Sequence, residues 1–421
     1  MMTQMTAPVK EEIAAIVGEE NFREADGADD VDGVSPAFVV HPGTPEEVGK
    51  VLACARQAEL AVSPRGGGTK RGWGNPPQRV DLVVSTARLN KVLEHAWSDM
   101  TATVQAGCVV AQFQRTLAEH GQRLALDALW PERATIGGIL AANDSGTLRT
   151  RFGSLRDLVI GVTVALADGT LARSGGKVVK NVAGYDLPKL MTGSLGTLGV
   201  ITEAVFRLHS LPHETRSLSF GAPSFETLGA LANKIRDSRL AYVRLQLRAR
   251  SGGALLDVAF EGTRAGLDAQ EKQLLAMFGE ANLTDSSNCW AAREALWEGG
   301  DSKVVAGFSV LPTDLAGFYA AVAKAAAQAG ASWQLVAQAI GVGQVGVDGA
   351  SDDALLAVCE NLREHTETHG GHLVVLHCPR RLKSRFLVWG PPGSSIELMR
   401  QVKAQLDPGA VLNPGRFVGG I

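Results

Sequence analysis

From residue 38 onward the chain alternates between short apolar runs and longer segments whose apolar positions recur three and four residues apart, the two rhythms of strands and helices. Residues 38–41 predict a strand. Thr44-Pro45-Glu46-Glu47 then predicts a helix start, a capping box with proline at the first helical position, and Val48, Val51, Leu52 and Ala55 continue the apolar stripe. A second strand over residues 60–63 completes a βαβ unit, so parallel strands are expected. Further strands are predicted over 81–85, 101–106 and 199–208, with a helix over 110–120 ending at Gly121. Residues 157–174 predict a hairpin with Asp168-Gly169 at its turn. Residues 1–35, polar and with an acidic stretch over 26–32, predict a helix followed by a loop.

Past Pro212 the texture changes. Residues 216–220, 225–235, 241–248, 254–260 and 264–278 read strand, helix, strand, strand, helix. The order repeats over 303–310, 314–329, 333–339, 342–347 and 352–369, with a last strand at 372–377. Two such runs predict ferredoxin-like halves, antiparallel sheets covered by helices on one face. A weakly patterned link over 281–300, with Cys289, Trp290, Arg293 and Trp297, joins them. The last 20 residues, with Asp407-Pro408-Gly409 and Asn413-Pro414-Gly415, read as a tail that packs back.

A length of 421 residues suggests roughly two or three domains. Hydrophobic residues at 45% and charged residues at 20% exclude a disordered chain, and no run reaches the ~18–20 apolar residues of a spanning helix. The acidic start, with Lys10, Glu11, Glu12, Glu19 and Glu20, lacks the pattern of a secretory signal, so a cytoplasmic protein is expected. A net charge of −3 without a basic block argues against nucleic acid as a partner. The five cysteines lie far apart and form neither a disulfide framework nor a metal or iron-sulfur set, so buried thiols are expected. Glycine is the departure: 48 residues, about 11% against a usual ~7%.

The glycines concentrate in segments that can carry chemistry. Pro64-Arg65-Gly66-Gly67-Gly68-Thr69-Lys70 follows the second strand, where backbone N–H groups can meet an anion and Thr69 and Lys70 can add donors; a surface turn is the alternative. It is not a dinucleotide fingerprint, because Arg71 stands where the third glycine belongs. Gly176-Lys177-Val178 is likewise not a P-loop. Small residues fill Ala134-Thr135-Ile136-Gly137-Gly138 and Asn143-Asp144-Ser145-Gly146, which suits backbone lying against a flat ring. Lys180-Asn181-Val182-Ala183-Gly184-Tyr185-Asp186-Leu187 and the run from Gly193 to Thr202 follow.

In that order, and ending in residues 407–417 (DPGAVLNPGRF), these blocks resemble the FAD-binding oxidoreductases of the vanillyl-alcohol oxidase (PCMH) type over nearly the whole chain. Within them the chain looks most like the smaller flavin subunits of bacterial glycolate oxidases. The resemblance implies an α+β fold: a short N-terminal segment (1–35), a two-subdomain PCMH-type FAD-binding domain (36–211), a ferredoxin-like α+β cap domain (212–400) and a returning tail (401–421). It implies that Pro64, Arg65, Gly66, Gly67, Gly68, Thr69 and Lys70 wrap the FAD diphosphate. Thr135, Gly137, Gly138, Ser145 and Gly146 would line the ribityl and flavin side, Gly199, Val200 and Ile201 the adenine end, and Asn413 would sit near the ring. With no histidine in the glycine loop, FAD is expected to be non-covalent. The implied partners are a catalytic flavin subunit and an iron-sulfur subunit, with a small 2-hydroxy acid as substrate.

Catalytic relatives carry an HxGDGNxH run that binds a metal. Here His372 and His377 stand five apart with no acidic residue between them, a spacing that sends strand side chains to opposite faces, so no metal is expected. Arg380, Arg381, Lys383 and Arg385 read as a solvated rim, and no residue is assigned as catalytic base. The function expected is flavin-dependent oxidation of glycolate to glyoxylate within a complex. The alternatives are a flavin electron-relay subunit and a self-sufficient D-lactate-type dehydrogenase.

Overall fold

Thr44 starts the first long helix, Pro45–Gln57, by accepting a hydrogen bond from the Glu47 N–H at 3.1 Å, while the Glu47 carboxylate reaches one residue past the cap to Gly43 N. That helix buries Val48, Val51, Leu52 and Ala55 with the strands beside it. The protein is seen in a computed structural model that describes residues 5–176, 184–278, 283–299, 302–349 and 351–421; residues 180–183 of the Lys180 motif lie outside that set. The chain forms two units. One comprises Met1–Ser145, Gly153–Leu211 and Pro391–Ile421, the other Gly146–Phe152 and Pro212–Gly390. The returning segment therefore begins at Pro391 rather than 401.

In the first unit β1 (Phe22–Glu24), β2 (Phe38–Val40), β3 (Val62–Arg65) and β4 (Leu82–Ser85) form a sheet in the order β1-β2-β4-β3. β2 and β3 run parallel as expected, but they are not neighbours: β4 lies between them and is parallel to both. β1, in a region expected to be loop after its helix, pairs antiparallel with β2. A second sheet is antiparallel throughout. It is built from β5 (Val92–Ala96), β6 (Thr101–Gln105), β8 (Val159–Ala165), β9 (Leu171–Gly175) and β10 (Val200–Arg207), in the order β5-β6-β10-β8-β9. The two-residue strands β7 (Gln122–Arg123) and β11 (His209–Ser210) pair with each other. Between β8 and β9, Gly169 takes φ +89°, the conformation the Asp-Gly turn was expected to need. Phe113, Leu117, Ile136, Ile139 and Phe206 pack the core of this sheet against the helices Val110–Ala118 and Ile136–Ala142.

The second unit is one antiparallel sheet of eight strands: β12 (Glu214–Gly221), β13 (Tyr242–Arg250), β14 (Gly253–Gly262), β15 (Leu283–Thr284), β16 (Lys303–Ser309), β17 (Ser332–Gln338), β18 (Val342–Asp348) and β19 (His372–His377). Their order is β15-β12-β14-β13-β17-β18-β16-β19, two ferredoxin-like halves joined edge to edge where β13 pairs with β17. Leu245, Leu247 and Ala249 of β13 face the helix-covered core with Phe225 and Phe318. The alternate residues Gln246 and Arg248 meet the buried Asp257 of β14, and the link segment reaches this polar face, Cys289 O accepting from Gln246 Nε2 at 2.8 Å.

β19 departs from the expected alternation. Its register against β16 shifts between Val375 and His377, so that His372 stands opposite Ser309 and His377 opposite Val305, partners four residues apart and therefore on one face. The bulge overturns the expectation that the two histidines point to opposite sides. What separates them is distance along the strand: five steps of about 3.3 Å keep one metal from reaching both.

Candidate functional site

A cleft in the first unit is lined by the glycine loop after β3, by the start of the helix Ile136–Ala142, by the start of β10 and by the C-terminal tail; it encloses about 850 Å³, open solvent included. Pro64, Arg65, Gly66, Gly67, Gly68, Thr69, Lys70, Thr135, Gly137, Gly138, Gly199, Val200, Ile201 and Asn413 all stand on its wall. Ser145 and Gly146 do not. The chain leaves the wall at Asn143, which is left-handed at φ +48°; the Ser145 hydroxyl then accepts from Leu155 N at 2.9 Å, and Gly146, where the chain enters the second unit, accepts at its carbonyl from Gln338 Nε2 of that same unit.

The loop's glycines are demanded chiefly by close packing. A Cβ on Gly66 would stand 2.0 Å from Thr135 Oγ1, and one on Gly67 would stand 1.8 Å from the Arg133 carbonyl oxygen; Gly68 alone of the three has positive φ, +70°. Thr135 is the hinge of this contact. As N-cap of the helix Ile136–Ala142 its hydroxyl accepts from Gly138 N and from Gly67 N, each at 3.4 Å. Among the described residues, the N–H groups of Gly66, Gly68 and Thr69 have no protein acceptor.

The loop's side chains are already engaged. Lys70 Nζ, expected as a diphosphate donor, pairs with the buried Asp144 carboxylate at 3.0 Å and lies over the rings of Trp73 and Trp130. Arg65 pairs with Asp29 at 2.6 Å, and Arg23 pairs with the same carboxylate at 2.7 Å. The Arg23 and Arg65 guanidiniums hold the Asp29 carboxyl well below the usual carboxylate range against the opposing effect of burial. Arg71 donates to the carbonyls of Ala28 and Asp30, fixing the loop to the N-terminal segment. Anion binding at this loop therefore falls to backbone N–H groups.

The tail completes the wall. Val62 N donates to Val411 O and Asn413 N to Val62 O, so the tail lies along the free edge of β3. Asn413 is left-handed (φ +45°) and 1% exposed; its Nδ2 donates to Leu195 O at 2.8 Å, while its Oδ1 is buried with no partner. An orphaned acceptor in a cleft wall is the mark of a missing donor. Leu195 itself has φ +49°, a conformation rare for a bulky residue. Arg416 donates to the carbonyls of Arg71 and Trp73 at 2.7 and 2.6 Å, and burial lowers its guanidinium to about 10, still charged at neutral pH. Val31, Arg71 and Arg416 line the cleft without having been given a role from the sequence, and Leu195 and Gly196, inside the run from Gly193 to Thr202, line it with them; the signal for Arg416 was its place in the closing block, three residues past Asn413.

The unpartnered amides, the glycine positions that no Cβ could occupy and the orphaned Asn413 oxygen suit an extended diphosphate cofactor with hydrogen-bond donors at one end. Elsewhere, Arg381 and Arg385 pair with Asp352 and Asp353 on the surface. All five cysteines are free and buried, burial raising Cys359 to about 12 and Cys54 and Cys289 to about 11. No helix among the described residues is long and apolar enough to cross a membrane.

Residues 36–175 match the family model described as FAD binding domain, and residues 243–417 the model described as FAD linked oxidases, C-terminal domain. Glycolate oxidase subunit GlcD of Bacillus subtilis is 33% identical over 55% of this chain, a match that spans about half (51%) of that protein. Mitochondrial D-2-hydroxyglutarate dehydrogenase of Bos taurus is 30% identical over 91% of this chain and 77% of its own length. A substrate-bound crystal structure of p-cresol methylhydroxylase superposes with a TM-score of 0.78 at 17% identity, covering 98% of this chain and 97% of that one, which shows a shared fold. The chain therefore belongs to the FAD-linked oxidases of the PCMH type and is an FAD-dependent oxidoreductase.

Proposed function

We propose that this flavoprotein takes part in oxidising a small 2-hydroxy acid, glycolate to glyoxylate, as the FAD-binding subunit of a complex with a catalytic flavin subunit and an iron-sulfur subunit. The observation that carries the reading is that the relatives above are named for 2-hydroxy acids, one of them a glycolate oxidase subunit, while the ordered glycine blocks assemble one cleft. FAD, when bound, supplies the acceptor for a hydride from the α-carbon of the acid. The chain's own part is to bind and orient. The N–H groups of Gly66, Gly68 and Thr69 would hold the diphosphate and Asn413 Oδ1 would accept from a donor of the cofactor, while Thr135 holds the glycine loop against the helix behind it.

Identity to the bovine dehydrogenase across 91% of this chain favours a second reading, a self-sufficient dehydrogenase of a D-2-hydroxy acid. Anaerobic mixing separates the two while the oxidised flavin band is followed. The complex predicts an FAD-loaded chain that bleaches slowly with glycolate and rapidly once the partner subunits are added. Rapid bleaching of the isolated chain by D-lactate or D-2-hydroxyglutarate establishes the second reading, and bleaching by none of the acids, with or without partners, overturns both.

A further inference from the structure

Asp314, His365 and His369 meet on the helical layer of the second unit. Asp314 is the N-cap residue of the helix Leu315–Ala329, His365 lies in the last turn of the helix Asp352–Thr368, and His369 is the residue that ends it. One donor atom from each lies within 4.8 Å of the other two, and Asp314 Oδ2 stands 3.2 Å from His365 Nε2. Two donors on a tetrahedral zinc, each about 2.0–2.1 Å from the ion, stand about 3.3 Å apart.

Four details set this cluster apart from a chance meeting of polar side chains. An aspartate at an N-cap ordinarily accepts from the first amides of its helix, yet the Asp314 carboxylate makes no cap bond and turns to His365 instead. His369 Nδ1 lies 2.8 Å from the His365 carbonyl oxygen, which takes its N–H and leaves Nε2 with the lone pair, the arrangement that orients metal-bound imidazoles. The imidazole rings of His365 and His369 are stacked, 4.3 Å between centroids, and a Cβ at Gly317 would stand 2.6 Å from Asp314 Oδ1, so the glycine leaves that carboxylate its room.

We propose that Asp314, His365 and His369 form a binding site for a divalent transition metal of the zinc class, with water in the fourth position, that clamps the start of one helix to the end of its neighbour. Two imidazoles and a carboxylate are a ligand set suited to zinc. The ion replaces the contact between His365 Nε2 and Asp314; a neutral His365 then coordinates through Nε2 with its single proton carried on Nδ1. The site is distinct from the FAD cleft and from His372 and His377, and it does not depend on the substrate assignment.

The test titrates tag-free, metal-stripped, FAD-loaded chain with zinc chloride by calorimetry and with cobalt chloride by visible absorption. One zinc per chain, tetrahedral cobalt bands and a melting temperature raised by zinc are expected. His369→Ala, at an exposed position, and Asp314→Asn should each weaken zinc binding at least tenfold and abolish the cobalt bands, with flavin content unchanged. His372→Ala should leave all three readouts as in the parent. Absence of stoichiometric zinc binding, or binding unchanged in both His369→Ala and Asp314→Asn, would overturn the site.

Discussion

At Gly67 the constraint is the Arg133 carbonyl oxygen, 1.8 Å from where a Cβ would stand, rather than the ligand alone. Gly67→Val must push the glycine loop away from the Arg133–Ala134 backbone, a strain of about 1–3 kcal/mol, and is expected to purify without FAD; full flavin occupancy by absorbance would refute the loop's role. Asp29 joins Arg23 and Arg65, and through Arg65 supports the same loop. Its depressed folded-state value means that its contribution is fully present above the ordinary aspartate range and is lost as pH falls below it, toward the lower folded value. Asp29→Asn should therefore be about 1–3 kcal/mol less stable than the parent at pH 7. Denaturant unfolding at a series of pH values should show that gap narrowing only below about pH 4.

Among the elements, the tail helix Ile396–Leu406 is held by one buried cation. Lys403 Nζ donates to Asp407 Oδ2 at 2.6 Å, to Thr197 O at 2.7 Å and to Leu412 O at 2.9 Å, and Asp407 accepts from the N–H groups of Val411 and Leu412. Burial lowers the Lys403 ammonium against the pull of Asp407. Lys403→Met leaves a buried carboxylate uncompensated and should cost about 3–5 kcal/mol in chemical unfolding. Because Asn413 lies just beyond, flavin affinity should fall as well. Lys403→Met with Asp407→Leu should recover part of the stability. The same scale holds one feature that the pattern left open and one that it misassigned. The βαβ signal marks β2 and β3 as parallel but carries no information on which strand fills the gap, and a bulge of one residue in β19 reverses every facing inferred beyond it.

For the whole molecule, the histidine-free loop from Pro64 to Arg71 leads to a direct expectation. Acid precipitation should release the flavin completely as intact FAD, and yellow colour kept in the washed pellet would show a covalent link. The first unit is assembled from three stretches of chain, and its cleft draws on residues from Val31 to Arg416. No local window of sequence contains that site.

The elements and the cofactor class are legible in residue pattern alone. Period and turn chemistry located the strands and helices of the second unit to within a few residues, because each helix shows an apolar stripe and each strand an apolar alternation that burial requires. The glycine blocks marked the cleft wall because close backbone packing excludes a Cβ, a constraint written directly in residue type. Which atoms remain available is set by long-range packing. It sequestered Lys70 against Asp144, turned Ser145 and Gly146 off the wall, laid the tail along β3 to present Asn413, and joined two ferredoxin-like halves into one sheet. Each of these depends on contacts between residues far apart in the chain, which no local pattern of polar and apolar positions encodes.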